Sequence, residues 1–144
     1  MENKSNYRKP TGNHQNEQRP EKPYEPLQKE NYVQRAEKVI KALGAKSLST
    51  SQIRNILSML SQIYNDVIVS TDETLSEEIQ SQLRYLKVKL IYAAGREQNV
   101  KAFIEMSQID RHLDKIGNSR EQFILYSRYM EALVAYHKFY NSND

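Results

Sequence analysis

LRYLKVKLIYAAGREQNVK, residues 83–101, is the most apolar stretch of a polar chain. Placed at about 100° per residue, Leu83, Leu86, Leu90, Ala93 and Ala94 share one broad face, the signature of an amphipathic helix. Val88 and Ile91 lie well away from that face. This predicts a helix buried on more than one side, in the middle of a bundle. The stretch also sets Arg84, Lys87, Lys89, Arg96 and Lys101 against a single acid, Glu97. Tyr85, Lys89, Tyr92 and Arg96 fall at i, i+4, i+7 and i+11 and form one stripe. Aromatic and basic side chains alternating along a stripe suit a nucleic-acid backbone with a base or sugar stacked nearby. They equally suit tyrosines on the core rim with cations snorkelling at its edge. Composition alone favours the rim reading, because charge runs are usually solvated faces.

The segment before it is acidic. Asp66, Asp72, Glu73, Glu77 and Glu78 occur between residues 66 and 78 without a base. Glu77 and Glu78 suit a helix N-terminus, and the acidic and basic segments together would permit head-to-tail contact between copies. Thr74 with Glu77 offers a capping box. The helix it opens runs from about Leu75 to Ala94, where Gly95 ends or loosens it.

Further upstream, LSTSQIRNIL opens another helix, with Ser49 and Gln52 spaced for a capping box. Ile53, Ile56, Leu57, Leu60, Ile63, Tyr64 and Val67 make its buried face. Arg54 lies on its polar side, as a phosphate contact near free N–H groups or as an ordinary solvated arginine. A first helix begins near 29–31, repeats Tyr32, Val33, Ala36, Val39, Ile40 and Leu43 at helical steps, and stops at Gly44. Residues 1–30 hold all four prolines, and Leu27 is their only aliphatic residue after Met1. Such a segment buries too little to offset its ordering entropy, so a disordered Pro/polar tail is expected over 1–30, ahead of a single helical domain over 31–144.

Downstream, a fourth helix opens near Asn99, carries Val100, Phe103, Ile104, Ile109 and Leu113, and closes at Gly117. Asn118 or Ser119 caps a fifth, which holds Phe123, Tyr126, Met130, Leu133, Tyr136 and Tyr140. No segment alternates with period two. The class is all-α: a compact bundle of about five helices with a disordered N-terminal tail.

The chemistry the chain lacks is informative. It has no cysteine, so disulfides, thiolate metal sites and a cysteine nucleophile are excluded. Its four glycines are scattered, and no phosphate-binding loop occurs. His14, His112 and His137 are far apart, with no metal-ligand spacing among them. No catalytic residue, metal or cofactor is expected. Met1 is followed by polar residues, with neither a signal peptide nor a membrane span, so a soluble cytoplasmic protein is expected. The net charge of +3 permits nucleic-acid binding without demanding it. Ten tyrosines suit half-buried positions at subunit interfaces, groove walls or the core rim.

Three stretches, LSTSQIRNIL at 48–57, LRYLKVKLIYAAGRE at 83–97 and YMEALVAYHKFY at 129–140, together resemble the small helical subunit of type III-A CRISPR effector (Csm) complexes. The resemblance spans roughly residues 30–140. It implies a five-helix bundle without nuclease activity, stacked head to tail in several copies beside the other Csm subunits, contacting the guide–target RNA duplex chiefly on the target strand. It implies RNA contact by Arg54 in the first stretch and by Lys87, Lys89 and Arg96 in the second. Arg128 and Lys138 follow at the edge of or within the third, and Lys46 lies just before the first. With the family in view, phosphate contact by part of this set overtakes the rim reading. A protein-only adaptor without RNA binding is the alternative.

Overall fold

The computed structural model describes residues 22–141. The expectations for 1–21 and 142–144 lie outside them. Six α-helices follow one another: α1 (Tyr32–Leu43), α2 (Thr50–Ile68), α3 (Glu77–Arg96), α4 (Gln98–Ser107), α5 (Ile109–Asp114) and α6 (Arg120–Tyr140), with a 3-10 turn at Gly44–Lys46 after α1. Among the described residues the only extended pairing is an isolated bridge between Thr74 and Ser119. The all-α class is therefore observed.

Local chemistry sets the ends. Gly44 has φ 47°, where a side chain is disfavoured, and its N–H closes α1 on the Ile40 carbonyl. At α2 the expected capping box is present. The Ser49 hydroxyl accepts from the Gln52 N–H, and the Gln52 amide oxygen accepts from the Ser49 N–H at 2.9 Å. Replacing Ser49 by Ala is expected to lower stability by about 1 kcal/mol, read from the urea midpoint. The box expected at Thr74 and Glu77 does not form, and the helix start moves two residues on to a simple cap. Ser76 caps α3 by accepting from the Ile79 N–H. Thr74 is drawn instead into pairing with Ser119, where the Leu75 N–H reaches the Asn118 carbonyl and the Arg120 N–H the Glu73 carbonyl. This ties the starts of α3 and α6 together. Gly95 does not stop α3, which continues to Arg96.

α6 packs on α1 and α2, and α3 packs on α2, α4 and α5. The core joins Ala36 and Ile40, Ile53, Ile56 and Leu60, Leu86 and Leu90, and Phe103, Phe123 and Leu133. Tyr64 of α2 stacks on Phe123 of α6 with ring centroids 6.4 Å apart. Tyr126 is buried beside them, and its hydroxyl has no hydrogen-bond partner among the described residues. Burial pushes that phenol well above its usual range. Tyr126→Phe removes a desolvated orphan donor and is expected to raise stability by about 1 kcal/mol, visible as a higher urea midpoint.

Two expectations are corrected. α3 is not buried on more than one side. Leu83, Leu86 and Leu90 are its buried residues, while Val88 is 59% and Ile91 49% exposed. An apolar pair off the core face does not say what covers it, and none of the described residues does. The single fourth helix is two helices, broken at Gln108, which takes φ 60°. That conformation costs a non-glycine residue roughly 1–2 kcal/mol. The buried Gln108 side chain supplies the compensation. Its Nε2 donates to the Pro23 carbonyl at 3.1 Å, and its Oε1 accepts from the Glu25 N–H at 3.4 Å.

Those partners lie within the segment expected to be a passive tail. The structure brings residues 22–27 onto the bundle as an extended arm. Arg111 donates to the Lys22 carbonyl at 2.7 Å, and Arg35 donates to the carbonyls of Glu25 and Pro26 at 2.8 and 2.9 Å. Tyr24 seats its hydroxyl 3.0 Å from His112 Nδ1. Few apolar atoms are needed, because side chains of the bundle satisfy the backbone polar groups of the arm.

Candidate functional site

The exposed face of α3 carries the stripe read from the sequence. Tyr85 and Tyr92 are 62% and 67% exposed. Each holds a cation over its ring: Lys89 Nζ lies 5.0 Å from the Tyr85 centroid, and the Arg96 guanidinium 5.8 Å from that of Tyr92. A cation over an aromatic face is held electrostatically by the ring quadrupole while keeping donors free for another ligand. A small cavity of about 150 Å³ between α2 and α3 is lined by Met59, Gln62 and Ile63 on one side and by Tyr85, Leu86 and Lys89 on the other. The Tyr85–Lys89 half of the stripe thus forms part of one wall of a shallow groove. From Ile79 to Arg96 the helix contains no acid.

The remaining sequence-derived candidates do not converge on it. Lys87 points to the other flank of α3 and forms an ion pair with Asp114 at the end of α5. Both members are partly exposed, so the pair adds little stability, but it occupies Lys87. Arg54 shares a stripe of α2 with Leu57 and Ser61. Leu57 and Ser61 line a crevice with Ser127 and Glu131 of α6, on the opposite flank of α2 from Met59 and Gln62. Lys138 continues the stripe of Ser127 and Glu131 along α6. The buried His137 beside it donates from Nε2 to the Leu48 carbonyl, which fixes the end of α6 against the start of α2. Lys46, Arg54 and Lys138, all exposed, therefore sit at one end of the bundle. Arg128 stands apart. It lines a cleft of about 1110 Å³ with Lys29, Glu30, Glu73 and Arg120, near the start of α6. The set is thus two basic surfaces and two separate residues.

A buried polar cluster that periodicity could not reveal lies under the arm. His112 is enclosed by Tyr24 of the arm, Arg35 of α1 and Tyr129 of α6. An Arg35 N–H donates to His112 Nε2 at 3.4 Å, so Nδ1 carries the ring proton and donates to the Tyr24 hydroxyl. Burial first, and then Arg35 and Arg111, lower the His112 pKa to about 3. Tyr129 donates to the Ser107 carbonyl at 2.9 Å and is pushed upward, chiefly by burial. Every member of this cluster has a partner that explains it structurally.

Among the described residues, no group of three or more His, Cys, Asp or Glu could hold a metal ion, and no helix is long and apolar enough to cross a membrane. The acids of the 66–78 segment, Asp66, Asp72, Glu73, Glu77 and Glu78, are all exposed, as are Ile68 and Val69 among them.

Residues 27–143 match the family model described as Csm2 Type III-A. Three relatives carry the description "CRISPR system Cms protein Csm2". That of Streptococcus thermophilus is 43% identical over 123 residues, covering 82% of this chain and 98% of the relative. That of Mycobacterium tuberculosis strain H37Rv is 36% identical over 119 residues, covering 80% and 95%. That of Enterococcus italicus is 44% identical over 99 residues, covering 67% and 71%.

Proposed function

This chain belongs to the Csm2 type III-A family, and from that premise we propose that it is a non-catalytic subunit of a type III-A CRISPR RNA-guided effector complex, acting in the cytoplasm in antiviral defence. It contacts the backbone of the guide–target duplex, chiefly the target strand, without reading sequence. The observation that carries this reading is the outward stripe of α3, with Lys89 and Arg96 poised over Tyr85 and Tyr92. Cations held in this way suit phosphates, and specificity is left to base pairing between guide and target. The basic end of the bundle, with Lys46, Arg54 and Lys138, supplies a second run of phosphate contacts.

The ridge beside the stripe supports stacking of copies. Arg84, Val88 and Ile91 are exposed along α3, and Ile68, Val69, Asp66 and Asp72 are exposed at the end of α2. The two patches match in apolar character and oppose in charge, as a head-to-tail contact requires. The test is target-RNA binding by a chain carrying K89E and R96E, with unchanged far-ultraviolet circular dichroism as the control for folding. Unaltered RNA binding with lost subunit assembly would instead favour a protein-only adaptor.

A further inference from the structure

The last turn of α6 exposes aromatic side chains where a soluble helix end ordinarily carries polar ones. Phe139 is 72% exposed and has no polar atom to justify it. It meets Tyr140 edge to face, with centroids 4.9 Å apart, and Tyr140 stacks on Tyr136 at 6.3 Å and 19°. The Tyr140 hydroxyl donates to the Glu37 carboxylate of α1, and Lys41 lies 5.6 Å from the Tyr140 centroid. The ring ladder is therefore fixed to α1 and is not a fraying end.

The charge around this ladder selects its occupant. Residues 132–141 contain no acid, nor do residues 38–52 on the elements beside them. Two acids lie against these elements: Glu37, whose carboxylate is already taken by Tyr140 and by Lys41 at 3.7 Å, and Glu97, whose carboxylate accepts from Gln52 at 3.0 Å. Lys138 precedes Phe139, and the bond between His137 and Leu48 brings Lys46 to the same end. A protein partner would have to cover an apolar ring and also desolvate a surrounding set of lysines. A single-stranded polynucleotide supplies a flat apolar face and a phosphate together.

We propose that Phe139, backed by the Tyr136–Tyr140 ladder and ringed by Lys41, Lys46 and Lys138, is a stacking platform for an unpaired base of single-stranded RNA. This rests on the RNA-binding reading above but goes beyond it, since a paired duplex offers no free base face. A base on Phe139 places its flanking phosphates toward lysines on either side. The base identity is immaterial, because every base has a π-face.

The chain has no tryptophan, so Phe139→Trp installs a single reporter at the platform. Adding a 12-nucleotide single-stranded RNA of mixed sequence to the full chain is expected to quench its emission, while the same strand in a blunt duplex leaves the emission nearly unchanged. Phe139→Ala is expected to weaken the single strand by about 5- to 160-fold and the duplex little, and Phe139→Trp restores single-strand binding. If the chain binds the single strand but the indole emission of the Phe139→Trp variant does not respond, the platform is wrong and the RNA reading stands. If neither RNA form binds the unaltered chain, both fail. If Phe139→Ala leaves single-strand affinity intact and abolishes assembly with other subunits, the patch is a protein interface and the proposal is overturned.

Discussion

A chain carrying K89Q and R96Q is expected to bind target RNA about 15- to 30-fold more weakly than the unaltered chain at 0.15 M salt, from loss of the counterion release that two phosphate contacts provide. The slope of log affinity against log salt should fall in magnitude by about 1.4 to 1.8, since each contact contributes about 0.7 to 0.9. Charge reversal at the same positions adds repulsion and should weaken binding further. The useful contrast is K87Q. Lys87 lies on the same helix but is held by Asp114, so its loss should leave both affinity and slope nearly unchanged. Filter-binding titrations over a salt series check all three. Equal slopes for the double variant and the unaltered chain would remove α3 from the RNA interface. Lys89 and Arg96 are exposed and lie off the buried face of α3, so their replacement should not alter the helical signal.

Acid should loosen the bundle through His112, and the second expected effect is nearly as large. In the folded chain this imidazole is neutral, with its pKa lowered from 6.5 to about 3 by burial and then by Arg35 and Arg111. The unfolded chain takes up the proton more readily. The stabilising contribution of neutral His112 is therefore fully present above pH 6.5 and is lost progressively as pH falls toward 3. Between pH 7.5 and pH 5 the loss amounts to about 2 kcal/mol from this group alone. Urea denaturation across that range should show the midpoint falling with pH. His112→Gln should be less stable at pH 7.5, because the contacts with Arg35 and Tyr24 are altered, yet its midpoint should vary much less between pH 7.5 and 5. A variant that tracks the unaltered chain in parallel would assign the acid sensitivity to other groups.

Much of the fold was legible because its signals are local. Ser49 and Gln52 are three residues apart and close a box whose chemistry needs no other part of the chain. Gly44 marks a helix end through its own backbone freedom. The stripe of Tyr85, Lys89, Tyr92 and Arg96 follows from helical spacing, and it emerged exposed with its cations over its rings. Val88 and Ile91 misled because periodicity reports which positions share a face and says nothing of what lies opposite. An apolar ridge is written in the same residues whether it meets its own bundle or another molecule. The break at Gln108 was hidden for a different reason. Its partners, Pro23 and Glu25, are more than eighty residues away in the chain, and glutamine in a left-handed conformation has no sequence signature. Distance also concealed His112, whose partners Arg35 and Tyr24 stand 77 and 88 residues before it. The candidate cations were found by charge, but charge alone could not show that Asp114 holds Lys87, or that Arg54 and Lys89 occupy opposite flanks of α2.

The arm over residues 22–27 is held almost wholly through its main chain. Gln108, Arg35 and Arg111 bind carbonyls and one N–H, while two arm side chains are seated on the bundle: Tyr24 against His112, and Leu27 against the core. Such a clasp recognises the direction and spacing of a peptide and is nearly blind to its letters. Pro23 and Pro26 keep the segment extended but donate nothing to the clasp beyond a carbonyl that any residue owns. Random replacement along the arm should therefore reveal three constrained positions in a permissive run. Tyr24 is one, for its ring and hydroxyl, and Leu27 another, for its packing on the core. The third is position 25, which rejects only proline, because its N–H is spoken for.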